Sequence, residues 1–120
     1  MRRSRAFERR YRRALQALRA ECPPLLPVRV VRDARPGPVR LCGWTRLCAD
    51  GHAFRIVLRE RVVERGSRGV RRLFDSELIE VLMHEWAHAM AWTAGHSDLQ
   101  DHPAAWGLAY AECYRTVIED

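Results

Sequence analysis

The sequence contains no lysine; all 21 of its basic residues are arginine. No apolar run approaches the roughly 18–20 residues needed to cross a bilayer, which excludes a spanning helix. The charged N-terminal stretch is not followed by the apolar core of a signal peptide. None of the four cysteines (Cys22, Cys42, Cys48 and Cys113) belongs to a Cys-x-x-Cys pair, so a cysteine zinc ribbon is not encoded. These absences point to a cytoplasmic protein with reduced thiols and no membrane partner. At 120 residues the chain has room for a single domain, 1–120, with its own core.

Acids are scarce where bases are dense. Residues 1–72 carry twenty arginines against six acids, whereas residues 73–120 carry one arginine against nine acids. A GC-rich genome explains arginine over lysine but not this segregation. The basic half points to a nucleic acid, such as DNA, or another polyanion as partner. Arg5, Arg9, Arg12 and Arg13 are the candidate contacts, to phosphates and without base readout.

Apolar spacing supplies the elements. Phe7, Tyr11, Ala14, Leu15 and Leu18 repeat every three to four residues and predict a helix over 5–20, ended by Pro23 and Pro24. Val28, Val30 and Val31 suggest a short strand, and Arg35-Pro36-Gly37-Pro38 a turn. Residues 39–48 read as a second strand interrupted by Gly43, Asp50-Gly51 as a hairpin turn, and 53–59 as the return strand. The arginine-rich stretch 60–72 reads as a connection. From Asp75 or Ser76 as cap, Leu78, Ile79, Leu82, Met83, Trp86, Ala89 and Met90 form a broad helical stripe, with Gly95 as its stop. A last helix is expected over about 103–118, with Pro103 in its first turn. The fold class is α+β: an N-terminal helix, a small three-stranded sheet and two further helices.

The chemistry concentrates in His84-Glu85-Trp86-Ala87-His88. Histidines four apart on a helix are offset by about 6 Å along the axis and about 40° around it, so both imidazoles can meet one zinc ion. Glu85, beside the first histidine, is placed to take a proton from a zinc-held water and pass it to the leaving amine. The expected cofactor is one catalytic Zn2+, and the expected substrate a protein or peptide. A catalytic site needs a third protein ligand and one position for water. His96, His102 and Glu112 are the candidates, with Asp98 and Asp101 in the intervening loop. The extended metzincin pattern is excluded, because Ala91 and Ala94 stand where it requires glycine and histidine.

The stretch Leu78–Met90, followed by His102-Pro103-Ala104-Ala105-Trp106, resembles the SprT-like (Spartan-type) metallopeptidase domain. The resemblance implies a zincin-like fold, with His84, His88 and His102 as zinc ligands, Glu85 as the catalytic base and Trp106 as the aromatic that follows the third histidine by four. It covers residues 75–115 well and the earlier part loosely. It implies proteolysis of proteins, in some members of proteins crosslinked to DNA. Pro103 departs from the usual glycine, and the C-terminal zinc ribbon of many members is absent, leaving a minimal, core-only form.

Rival readings stay open. Glu112 as third ligand would make the chain a gluzincin or an ImmA/IrrE-like peptidase; it also suits a role orienting a ligand imidazole. Tyr110 and Tyr114 are candidate oxyanion donors. The strand around Val39–Leu47 is a candidate edge for an extended peptide. The alternative class is a non-catalytic nucleic-acid-binding or adaptor protein, against which the retention of His84, Glu85 and His88 argues.

Overall fold

A computed structural model of the chain describes residues 2–64, 69–92 and 104–119. Helix α1 (Arg5–Glu21) begins at Ser4, whose hydroxyl accepts the Phe7 N–H at 3.0 Å. The predicted stripe is its buried face: Phe7, Tyr11, Ala14 and Leu18. Strands β1 (Val28–Asp33), β2 (Gly37–Pro38), β3 (Gly43–Leu47), β4 (Phe54–Arg59), β5 (Arg61–Val63) and β6 (Val70–Arg72) follow. Helix α2 (Asp75–Met90) carries the histidines. Helix α3 (Ala104–Tyr114) runs into a π-helical turn, Arg115–Glu119.

The expected three-stranded sheet is present in the order β1-β4-β3. The central strand β4 runs parallel to β1 and antiparallel to β3, with Val28 opposite Phe54 and Thr45 opposite Ile56. Asp50-Gly51 does turn β3 into β4, and Gly51 has φ +76°, a value that favours glycine. The core lies between this sheet and the helices, where Leu18, Ile56, Leu58, Leu78, Leu82 and Trp86 are fully buried. Trp86 Nε1–H donates to the Cys22 carbonyl at 2.7 Å, tying α2 to the end of α1.

Four expectations need correction. The stretch 60–72 is not merely a connection: β5 and β6 lie within it, paired antiparallel, and β2 adds to β5 as a second small sheet. Its cause is Val62, which is fully buried among the arginines. Gly37–Pro38 is correspondingly a strand and not only a turn. Residues 39–42 are not strand, and β3 begins at Gly43 itself. Helix α2 is capped by neither Asp75 nor Ser76. Phe74 holds the cap position, and its N–H donates to the Glu77 carboxylate at 2.7 Å. Arg71 fixes that carboxylate from the other side at 2.8 and 3.0 Å.

Ion pairs bind the basic first half together, and Arg3–Asp75 and Arg71–Glu77 tie it to α2. Arg32 bridges Glu8 and Glu60, and Arg3 reaches both Glu60 and Asp75. No described helix is long and apolar enough to cross a membrane.

Candidate active site

One flank of α2 faces a cleft. Glu77, Glu80, Val81, His84 and Glu85 share it, because steps of three and four residues return to one side of a helix. The cleft has a volume of about 390 Å³. Arg40, Leu41, Cys42 and Gly43 line it on one side, and His84 and Glu85 on the other. His84 is partly exposed there, whereas Glu85 is 4% exposed and His88 wholly buried.

The Nε2 atoms of His84 and His88 are 3.3 Å apart. Two nitrogens about 2.0–2.1 Å from one tetrahedral zinc ion lie about 3.3 Å from each other, so this pair fits the metal. The same separation also suits a hydrogen bond between one protonated and one bare nitrogen. Glu85 Oε2 is 4.0 Å from His84 Nε2.

The other oxygen of Glu85 has a partner that sequence reasoning missed. Thr45, buried on β3, places its hydroxyl 2.8 Å from Glu85 Oε1 and 3.0 Å from the Glu85 carbonyl oxygen. A buried carboxylate loses water, and a donor such as this hydroxyl offsets part of that cost. Close approach of β3 to α2 makes the contact, and Gly43 permits the approach. A Cβ on Gly43 would stand 2.7 Å from Val81 Cγ1, 3.0 Å from the Val57 carbonyl oxygen and 3.3 Å from Glu85 Cγ. The glycine interrupting the predicted strand was the only signal of this in the sequence.

Helix α3 packs against the histidines. Trp106 donates from Nε1 to the His84 carbonyl at 3.1 Å, and its ring centroid lies 4.9 Å from His84 and 5.7 Å from His88. Tyr110 stacks on Trp106 at 5.2 Å; burial pushes its phenol upward, with Glu80 adding to the shift. Tyr114 is exposed.

Of the third-ligand candidates, Glu112 is exposed on α3. His96, Asp98, Asp101 and His102 lie outside the described residues. Among the described residues, no group of three or more His, Cys, Asp or Glu side chains is arranged to hold a metal. His52 is exposed at the β3–β4 turn. Of the basic candidates, Arg5, Arg9 and Arg12 line one concavity with Arg32, Arg61 and Arg72; Arg13 is exposed but does not line it.

Compared with family models, curated proteins and solved structures, the chain matches none.

Proposed function

We propose that this chain is a zinc-dependent peptidase of the SprT-like type, with a zincin-like fold, hydrolysing peptide bonds in proteins. The observation that carries the reading is the spacing of the two imidazoles, 3.3 Å between Nε2 atoms, with the buried carboxylate of Glu85 beside them. His84 and His88 would hold the metal with His102, which stands two residues before α3 in the sequence. Zinc, when bound, lowers the pKa of its water to about 7 and polarises the scissile carbonyl.

The chain's own groups divide the remaining work. Thr45 holds Glu85 Oε1, so Oε2 is the oxygen that takes the proton from water and returns it to the departing amine. Among the described residues β3 pairs only with β4, and its other edge can take an extended peptide as an added strand along the cleft. Exposure of Glu112 argues against the gluzincin and ImmA/IrrE-like assignment.

The test is metal content and cleavage of an unfolded protein substrate by the purified chain. About one zinc per chain is expected, lost in His84→Ala, His88→Ala and His102→Ala but kept in Glu112→Ala. Glu85→Gln keeps zinc and abolishes cleavage. Zinc retained by His102→Ala and lost by Glu112→Ala would reassign the third ligand. Full activity of Glu85→Gln would overturn the mechanism. No zinc and no cleavage in the unaltered chain would leave the adaptor reading.

A further inference from the structure

Away from the cleft, α1 and the second sheet border a bowl of about 990 Å³ lined by eight arginines and two glutamates. Arg5, Arg9 and Arg12 come from α1, where the four- and three-residue steps put them on one face. Arg61 and Arg72 come from β5 and β6. Arg3 and Arg32 are fixed between them: Arg32 lies 2.6 Å from Glu8 and 2.9 Å from Glu60, and Arg3 lies 2.7 Å from Glu60. Both glutamates of the bowl are therefore already engaged by these two arginines. Arg5, Arg9 and Arg12 are exposed and form no ion pair among the described residues.

Eight arginines against two glutamates leave the concavity strongly positive, and such an excess focuses its field and raises the local concentration of anions. Guanidinium forks match phosphate oxygens two at a time, which a lysine ammonium does not do. The shape selects among phosphate ligands. A nucleic-acid duplex is convex and wide, and reaches the rim of a bowl. A short chain of phosphates enters it and is contacted from α1 and from the second sheet together. The volume is also within the range of about 300–1,000 Å³ typical of small-molecule sites.

We propose that this bowl binds a compact oligophosphate, inorganic or at the end of a nucleotide. The inference stands apart from the peptidase reading, since it uses none of the cleft residues.

Titration calorimetry on the full chain, at about 0.15 M salt and matched ionic strength, tests it. Inorganic tripolyphosphate is expected to bind at least about tenfold more tightly than orthophosphate, and Arg9→Ala and Arg12→Ala each to weaken it about tenfold. Arg13→Ala removes the same charge from the same helix outside the bowl, and is expected to change affinity less than about twofold. Equal affinity for tripolyphosphate and a nucleoside triphosphate supports recognition of the phosphate chain alone; tighter nucleotide binding supports the nucleotide source. An Arg13→Ala loss matching that of Arg9→Ala would overturn the site in favour of diffuse attraction. Orthophosphate binding as tightly as tripolyphosphate would also overturn it, as would a duplex oligonucleotide binding where tripolyphosphate does not.

Discussion

The Thr45 hydroxyl sits 2.8 Å from Glu85 Oε1 and 3.0 Å from the carbonyl oxygen of the same residue. One hydroxyl proton serves only one of these acceptors at a time. The carboxylate competes well, because hydrogen bonds to ionised acceptors are the stronger ones. Thr45 is thus a positioning residue for Glu85 in the proposed reaction. Thr45→Ser is expected to keep activity within a few-fold, whereas Thr45→Val, which keeps the shape and loses the hydroxyl, lowers kcat by about tenfold or more. Zinc content stays unchanged in both. Activity of Thr45→Val equal to that of the unaltered chain would remove Thr45 from this role.

Two glycines give opposite outcomes on substitution. Gly43→Ala drives a Cβ to 2.7 Å from Val81 and 3.0 Å from the Val57 carbonyl oxygen. It is expected to destabilise the fold by about 1–3 kcal/mol, with a matching fall in Tm. Gly107 lies inside α3, and a Cβ there meets nothing within 4 Å. Gly107→Ala should therefore stabilise by about 0.5–1 kcal/mol, through helix propensity alone. Thermal melts of the two variants settle both, and a stabilised Gly43→Ala would show that β3 does not need its close approach.

Trp106 covers both imidazoles and bonds the His84 backbone. Trp106→Ala is expected to open His88 to solvent and weaken zinc about tenfold, measured by competition with a chromophoric chelator. Trp106→Phe keeps a ring in place and should stay within a few-fold of the starting affinity. An unchanged affinity in Trp106→Ala would mean that the ring only packs.

Acid should unfold the protein through identifiable carboxylates. Hydrogen bonds from Arg32 hold Glu8 below the ordinary carboxylate range, those from Arg71 do the same for Glu77, and those from Arg35 for Asp33. Their folded values lie below their unfolded ones, so the unfolded chain takes up protons first as pH falls. The stabilisation is present above the glutamates' ordinary value of 4.5 and is lost as pH drops through the folded values. Glu8→Gln with Glu77→Gln should be less stable at neutral pH and show a flatter loss between about pH 5 and 3 in urea titrations. At the alkaline end Tyr11 is pushed up to about 12 by burial, so its contribution is present below about pH 10 and fades toward 12.

The helices and the β3–β4 hairpin were legible because local spacing and one turn dipeptide define them. Phe7, Tyr11 and Leu18 mark a face by themselves, and Gly51 takes the positive φ that its turn requires. The parallel pairing of β1 with β4 was not legible, because alternation looks the same whichever way a strand runs. Strands β5 and β6 are three residues each, and their arginines masked Val62. The Phe74 cap depends on Arg71 holding Glu77, a contact that no propensity encodes. The histidine pair was readable from its spacing, but Thr45 was one hydroxyl in an unremarkable strand. His102 lies outside the described residues.

The strand order also carries a kinetic lesson. Strand β4 sits between β3, a partner close in sequence, and β1, whose Val28 pairs with Phe54 well along the chain. Such non-local pairing forms late compared with a helix. Isolated α2, at sixteen residues, would bring both histidines near each other without Thr45. A nascent or partly unfolded chain therefore holds Glu85 without its buttress. In the proposed peptidase, Glu85 would be held in place only once β3 has packed against α2.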